Sequence, residues 1–329
     1  MTTPRLTIAC VPTDRSRPIA SGEVAVQGFD IEMRFGEPEN IFREALREQT
    51  HPISEMSMAS HIATTARGDS AYIGVPVFLS RAFRHSAIYV RADAGIETLA
   101  ELRGRRIGLP EYQQTAAMWV RGMMRDEAGV AASDVTWHIG GLNAPGPGER
   151  IKLDLPADIT VHSLEGGATL DAMLRDGHLD AIISPRPPDS FARGAPHVRR
   201  LFSDLRAAEV AYFRDSGFFP IMHCLAVRRD VARAHPELAP ALFRAFAEAK
   251  RLRLAELGLS NVLRVSLPWI AHEFDATMTL TGGDPWPYGF ERNAAELEAM
   301  TRYAHADGIA VRKVAPEELF HPDTVALTA

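Results

Sequence analysis

Short strand-like runs alternate with helical patterns along most of the chain, and this alternation restricts the fold more than any other feature. The first apolar run covers Leu6 to Val11, and apolar residues at helical spacing follow from Ile41 to Leu46. A second helical pattern begins after Ser57 and ends near Gly68. Because strands and helices alternate in this way, the sequence predicts an α/β fold.

The same pattern restarts at Leu99, which indicates a second unit. A short helix, a strand from Arg106 to Leu109 and a helix from Thr115 to Arg125 follow one another there. A further strand is predicted from Asp180 to Ser184, and a later apolar run extends from Phe218 to Val227. A chain of 329 residues is long enough to form two cores.

We therefore predict two lobes, of which the first is discontinuous. It comprises residues 1–88 and 222–329, and the second lobe comprises residues 89–221. The chain is expected to cross between them near Ser86 to Arg91 and near Ile221 to Arg228. Such a pair of lobes places ligand chemistry in the cleft between them, where strand ends and helix N-termini favour anions.

Composition excludes several classes of partner. The formal net charge is −6 and the isoelectric point is about 6.1, so no general field attracts nucleic acid or an anionic membrane. No apolar run approaches the roughly 20 residues of a membrane-spanning helix, and the run from Leu6 to Val11 is too short for the core of a signal peptide. Cys10 and Cys224 are the only cysteines, and we expect them to be buried thiols in a cytoplasmic protein.

Familiar catalytic motifs are missing from the sequence. It contains no P-loop, no glycine fingerprint for a dinucleotide and no G-x-S-x-G nucleophile elbow. The nearest grouping of metal-ligating residues, His51, Glu55 and His61, lacks the HExxH spacing, and a helix cap lies between its members. We therefore predict no cofactor and no required metal.

Eight segments carry a resemblance to known proteins, and together they extend over nearly the whole chain. They are TDRSRPI (13–19), ISEMSMASHIATTARGD (53–69), IGVPVFLSRAFRHSAIYV (73–90), LRGRRIGLPEYQQTAAMWVRG (102–122), WHIGG (137–141), LRDGHLDAIISPRPP (174–188), FPIMHCLAVRRDV (219–231) and DPWPYG (284–289). The segment at 102–122 alone is similar to many solute-binding proteins. With SRAFRHS and DPWPYG combined, the set resembles the 4,5-dihydroxyphthalate decarboxylase family.

The resemblance implies a type 2 periplasmic-binding-protein-like fold and a carboxy-lyase that acts without a redox partner. Its expected substrate is a hydroxylated aromatic mono- or dicarboxylate of the phthalate type, which loses CO2 and gains a proton at the same carbon. This chemistry requires a base near the phenol and an acid near the ring. His85 and His223 are the candidates, in unassigned order, with Glu111 or Asp284 in support.

A polar segment, Ser80 to His85, interrupts two apolar strands and suits a carboxylate. Arg81 and Arg84 can bind a carboxylate with two hydrogen bonds, and His85 can exchange a proton near neutral pH. Loops held by a rigid scaffold often carry such residues. A solvated hinge with ordinary surface ion pairs is the alternative.

The remaining candidates for substrate binding follow strand ends or lie in loops. They are Arg15, Ser57, Ser60, Tyr112, Gln113, Thr115, Arg186, Trp286 and Tyr288. Arg15 can equally form a surface salt bridge, and Ser57 and Thr115 can simply cap helices. His223 lies in an apolar strand, where a core histidine is the usual interpretation, and the segment from Asp284 to Tyr288 is also compatible with a plain structural turn.

Two other functions use the same scaffold. A solute-binding protein for a small carboxylate would share the fold and the anion chemistry, although it would ordinarily carry an export signal. A different lyase, similar to 1,4-dihydroxy-6-naphthoate synthase, would act on another carboxylated ring. The exact acid and any homo-oligomeric state stay open at this point.

Overall fold

Two β-sheets, each covered by helices, form the protein in a computed structural model that describes residues 3–146 and 148–329. The strands are β1 (Arg5–Cys10), β2 (Asp30–Phe35), β3 (Ile53–Ser57), β4 (Tyr72–Arg81), β5 (Ile88–Arg91), β6 (Arg106–Leu109), β7 (Thr136–Ile139), β8 (Thr160–Ser163), β9 (Ala181–Ile183), β10 (Val198–Arg200) and β11 (Ile221–Arg228). The α/β class predicted from the alternating pattern is confirmed.

Twelve α-helices lie between the strands or follow the last of them within the described residues. They are α1 (Arg17–Ala20), α2 (Pro38–Arg43), α3 (Met58–Arg67), α4 (Thr115–Ala128), α5 (Leu170–Arg175), α6 (Asp189–Ala192), α7 (Leu205–Ser216), α8 (Arg229–Ala234), α9 (Leu238–Leu257), α10 (Ile270–Leu280), α11 (Ala294–Ala306) and α12 (Pro322–Val325). Helix α3 ends where predicted, because Gly68 takes the left-handed conformation with φ 78°.

The first sheet has the strand order β2-β1-β3-β11-β4. Strand β1 pairs in parallel with β2 and β3, whereas β11 returns late in the sequence and inserts antiparallel between β3 and β4. This insertion places His223 opposite Ser57 of β3 on one side and Ser80 of β4 on the other. A residue far along the chain thereby joins the strand ends of the N-terminal segment.

The second sheet has the order β10-β5-β9-β6-β7-β8. Strands β6, β7, β8 and β9 run parallel, so their carboxyl ends lie at one edge of the sheet. The loops that leave β6, β7 and β9 at this edge are the natural place for a ligand in an open parallel sheet.

The chain passes from the first sheet to the second between Arg81 and Ile88 and returns between Arg200 and Ile221. Both passages lie just before the segments that the sequence suggested, which are largely the strands β5 and β11. The lobe boundaries at residues 88 and 222 stay a prediction.

Cys10 and Cys224 are buried free thiols, as expected from their apolar surroundings. Burial raises the pKa of Cys224 to about 12, so its thiol stays protonated at neutral pH. Within residues 3–146 and 148–329, no helix combines the length and the apolar character that crossing a membrane demands.

Candidate active site

A cavity of about 510 Å³ lies between the first sheet's helix α2 and the strand ends of the second sheet. Its walls come from the two parts of the chain that the two-lobed prediction separates. The lining residues are Glu39, Asn40, Arg43, Arg47, Pro110, Glu111, Gln114, Gly140, Gly141, Leu142, Gly146, Gly148, Arg150, Ser184, Pro185 and Arg186.

The second sheet contributes a largely apolar floor. Gly140 and Gly141 follow β7, and a Cβ atom on Gly141 would lie 1.7 Å from the carbonyl oxygen of Ala144. Only glycine therefore fits at position 141. Pro110 and Pro185 line the same cavity after the ends of β6 and β9. An apolar floor suits an aromatic ring.

Positive charge dominates the cavity walls. The charged lining side chains are four arginines and two glutamates: Arg43, Arg47, Arg150, Arg186, Glu39 and Glu111. Arg150 pairs with Glu111 at 2.9 Å, and Arg186 pairs with Glu39 across the cavity at 2.8 Å. With two pairs neutralised, the walls carry two surplus positive charges, which match an organic dianion.

Glu111 is held by a hydrogen-bonded chain that reaches the first sheet. The side-chain amide of Gln113 donates to Glu111 at 2.8 Å, and the hydroxyl of Ser60 donates to the amide oxygen of Gln113 at 2.7 Å. Next to them, burial and the nearby charge of Glu111 raise the pKa of Glu149 to about 7. Three predicted site residues, Ser60, Gln113 and Glu111, are thus brought together.

Ser57 and Thr115 meet between the two sheets, but not as ordinary helix caps. Ser57 occupies the N-cap position of α3, yet its hydroxyl bonds that of Thr115 at 2.9 Å instead of its own helix. The Thr115 hydroxyl also accepts a hydrogen bond from the backbone N–H of Ala59 at 3.1 Å. A side chain of one lobe therefore completes the first turn of a helix in the other.

His223 forms a dyad with a carboxylate that the sequence analysis did not select. Its Nδ1 lies 2.7 Å from Glu55, whose other oxygen accepts from the backbone N–H of Val11 at 2.8 Å. Because a carboxylate only accepts, Nδ1 carries the proton and Nε2 of a neutral ring has a free lone pair. No described residue bonds Nε2, and 17% of the side chain is exposed. This arrangement can accept and return a proton.

Phe42 connects the dyad with the cavity. Its ring packs edge-on against His223 with 4.7 Å between centroids, and the guanidinium of Arg150 lies 5.3 Å from its centroid. Arg150 lines the cavity, whereas Phe42 and His223 lie just outside its lining. The ring of Phe42 therefore lies between the Glu55–His223 dyad and the cavity lining.

The segment from Ser80 to His85 points into the protein instead of the cavity. Arg81 is buried and bonds Glu296 at 3.0 Å, the carbonyl oxygens of Phe219 and Pro287, and the side chain of Asn293. Neither the solvated hinge nor a ligand contact describes this side chain. It fastens the end of β4 to the C-terminal helices.

Arg84 and His85 also lie outside the cavity lining. The Nε of Arg84 donates to the sulfur of Met222 at 3.0 Å, and burial lowers the pKa of its guanidinium to about 10. His85 is packed among aromatic rings, with those of Phe202 and Tyr212 at 5.0 and 5.3 Å, and burial lowers its pKa to about 4. His85 is consequently neutral at physiological pH.

The remaining candidates are placed elsewhere. Arg15 lies over the ring of Trp286 at 3.8 Å, and both line a separate cavity of about 270 Å³. Asp284 binds Lys250 at 2.9 Å, which favours the structural-turn interpretation of its segment. Tyr112 and Tyr288 are fully buried. Of all the predicted residues, only Glu111 and Arg186 line the 510 Å³ cavity themselves.

Sequence reasoning missed Arg43, Arg47, Arg150 and Glu55. The two arginines of α2 and its extension lie opposite the apolar stripe of that helix, where charged residues are usually solvent-facing. Glu55 did give a signal, because a charge within the apolar strand β3 requires a partner when it is buried. Among the described residues, no three histidine, cysteine or acidic side chains lie close enough to hold a metal ion.

Two curated proteins are similar to this chain over most of its length. The 4,5-dihydroxyphthalate decarboxylase of Comamonas testosteroni is 43% identical over 318 residues, which are 97% of this chain and 96% of that protein. The chain belongs to the 4,5-dihydroxyphthalate decarboxylase family. The enzyme of the same name from Pseudomonas putida is 46% identical over 209 residues, 64% of this chain and 81% of its own. No family model matches the chain.

Solved structures confirm the predicted fold. The aliphatic sulphonate binding protein SsuA from Escherichia coli superposes with a TM-score of 0.54 over 97% of this chain and 92% of its own, at 16% identity. The desulfurization enzyme DszB superposes with a TM-score of 0.51 over 98% of this chain and 97% of its own, at 17% identity. At such identities the likeness concerns the two-lobed, periplasmic-binding-protein-like fold alone.

Proposed function

We propose that this protein is a non-oxidative decarboxylase of 4,5-dihydroxyphthalate or a closely similar hydroxylated phthalate. The 43% identity to the Comamonas testosteroni enzyme over 97% of the chain is the observation that carries the assignment. The cavity supports it independently, because an apolar floor and two surplus positive charges suit an aromatic dianion. A solute-binding role is not favoured, since the solute-binding neighbours share the fold at only about 16% identity.

The reaction breaks one bond between the ring and a carboxylate. The electron pair of that bond stays on the ring carbon, which takes up a proton while the carboxylate leaves as CO2, so nothing is oxidised or reduced. A hydroxyl para to the leaving carboxylate supplies electron density to this carbon. A base that accepts the hydroxyl proton strengthens that effect.

In this proposal the Glu55–His223 dyad accepts the hydroxyl proton, and the proton that replaces CO2 on the ring carbon comes from water. Glu55 fixes the tautomer, so that Nε2 of His223 accepts the proton and the carboxylate stabilises the imidazolium that forms. A positioned proton transfer contributes typically 10²–10⁴-fold, or roughly 3–5 kcal/mol. The rest of the barrier lowering comes from ring positioning by the cavity arginines and from exclusion of water between the lobes.

The direct test is to incubate the purified protein with 4,5-dihydroxyphthalate and to measure CO2 together with the ultraviolet spectrum. We expect one CO2 and one 3,4-dihydroxybenzoate for each molecule consumed. Phthalate, which lacks both hydroxyls, is the matched control and should bind without releasing CO2. Recovery of bound but unchanged dihydroxyphthalate would support a carrier instead. A cytoplasmic location and a homo-oligomeric state stay predictions.

A further inference from the structure

Helix α2 continues without interruption into a π-helical turn, Glu44–Glu48. Such turns are rare and occur frequently at functional sites. The turn ends at Gln49, whose φ of 51° is the only positive value at a non-glycine residue in the described part of the chain. We call the segment 38–48 the arginine wall, because it turns the side chains of Arg43 and Arg47 towards the cavity.

The two arginines of this wall differ from the other two cavity arginines in their partners. Arg150 and Arg186 have carboxylates at hydrogen-bonding distance, 2.9 and 2.8 Å. The nearest carboxylate to Arg43 is that of Glu48, 3.8 Å away and too far for a hydrogen bond. Within the described residues Arg47 has no carboxylate within 4 Å, and its one hydrogen bond goes to the carbonyl oxygen of Arg150 at 3.4 Å.

The surplus charge of the cavity therefore lies on the arginine wall, while the glycines that line the cavity follow β7 of the second sheet. A guanidinium binds a carboxylate through two parallel hydrogen bonds, and it keeps its charge at any physiological pH. Two such groups, four residues apart in one helical segment that lines the cavity, can hold one carboxylate between them. Which carboxylate this is follows from the reaction.

Holding the leaving carboxylate tightly would stabilise the ground state and slow its loss. The retained carboxylate keeps its charge throughout, so binding it orients the ring without opposing the reaction. We infer that Arg43 and Arg47 bind the carboxylate that stays on the ring and thereby select dicarboxylates over monocarboxylates. This inference rests on the proposed function for the class of substrate.

The test uses the variants Arg43→Met and Arg47→Met, singly and combined, in the full-length protein. Calorimetric titration with phthalate and with benzoate gives affinities for unreactive ligands, so no turnover is required. Each single variant should bind phthalate about 10- to 100-fold more weakly, the usual effect of losing a charge-assisted hydrogen bond. In the double variant the preference for phthalate over benzoate should fall towards one.

Arg67→Met is the matched control. Like Arg47, Arg67 belongs to the first lobe and donates to a backbone carbonyl of the neighbouring segment, that of Lys152 at 3.0 Å, but it does not line the cavity. Its phthalate affinity should equal that of the wild type. Arg43→Lys and Arg47→Lys keep the charge and lose the paired donors, so they should fall between wild type and the Met variants.

Wild-type phthalate affinity in a folded double variant would overturn the inference, and so would an equal loss in Arg67→Met. If a Met variant does not fold, unchanged affinity and selectivity in the double Lys variant would have the same force. Failure of the proposed function is distinguishable, because it would appear as absence of CO2 release by the wild-type protein. An active wild type with unaltered double-variant affinity would contradict only the inference.

Discussion

The segment from Ser80 to His85 and the arginine wall carry the same types of residue and use them in opposite ways. In the first, Arg81 donates its hydrogen bonds to Glu296, Asn293 and backbone carbonyls, and aromatic rings enclose His85. In the second, Arg43 has only the carboxylate of Glu48, at 3.8 Å, Arg47 has none within 4 Å among the described residues, and both line a cavity. A cationic motif therefore indicates a ligand site only when its hydrogen-bonding capacity is left unused.

The largest expected effect separates the two histidines. His223→Gln should lower kcat/KM for the dihydroxyphthalate by about 10²–10⁴-fold, because the Glu55-paired proton acceptor is lost. His85→Phe, which keeps an aromatic ring in the cage, should stay within several-fold of wild type. Steady-state kinetics of both folded variants provide the comparison. A greater loss in the His85 variant would reverse the assignment.

A second test concerns the buried arginine. Arg81→Met leaves Glu296 buried without its cation, and breaking such a pair destabilises by about 3–5 kcal/mol. Arg43→Met, at a half-exposed position, should change the free energy of unfolding by less than about 0.5 kcal/mol. Urea denaturation measures both. Equal stability losses would remove the distinction between the two regions.

A third test uses pH. Burial lowers the pKa of His85 to about 4, whereas the unfolded chain binds this proton below about pH 6.5. Since the unfolded state then binds more protons, the free energy of unfolding should fall as the pH is lowered from 6.5 to 4, by up to about 1.4 kcal/mol per pH unit. The free energy of unfolding of His85→Phe should fall less over this pH range. If the free energies of unfolding of the wild type and the variant differed by the same amount at every pH, a buried neutral histidine would be contradicted.

The smallest expected effect concerns the pair that spans the cavity. Glu39 and Arg186 are both more than half exposed, so Glu39→Gln should alter stability by less than about 0.5 kcal/mol. The same change frees Arg186 for a ligand carboxylate, and we expect phthalate affinity to rise a few-fold. Titration calorimetry measures this gain. A clear loss of affinity would indicate that Glu39 itself contacts the ligand.

Most of the fold could be predicted from local patterns. The strands β1, β6, β9 and β11 and the helices α3 and α4 all follow from apolar periodicity with clear end signals such as Gly68, whereas β3 was not predicted. Strand β2 was missed because only one of its faces is even partly buried, which leaves a weak apolar signal. The helical pattern after β11 suggests a break near Pro236 and Pro240; the break lies at 235–237, between α8 and α9, and Pro240 is in the first turn of α9, where a proline removes no hydrogen bond.

The site was less predictable, because it depends on contacts between distant segments. Gln113, Ser60 and Thr115 were selected as candidate polar groups, and the structure places Gln113 against Ser60 and Thr115 against Ser57. The sequence cannot show that Arg81 pairs with Glu296, 215 residues away. This ion pair holds the guanidinium inside the protein. It also cannot show that the solvent-exposed polar face of α2 borders a cavity shared with the other lobe.

The hydroxyl of Thr115 accepts a hydrogen bond from the first turn of helix α3, and this contact has a consequence for how the two lobes move. If the lobes separate to admit a ligand, the amide of Ala59 loses its acceptor and turns to water. The rate of deuterium uptake at that amide would then report how often the lobes open. A bound dianion that holds the lobes together would slow the uptake.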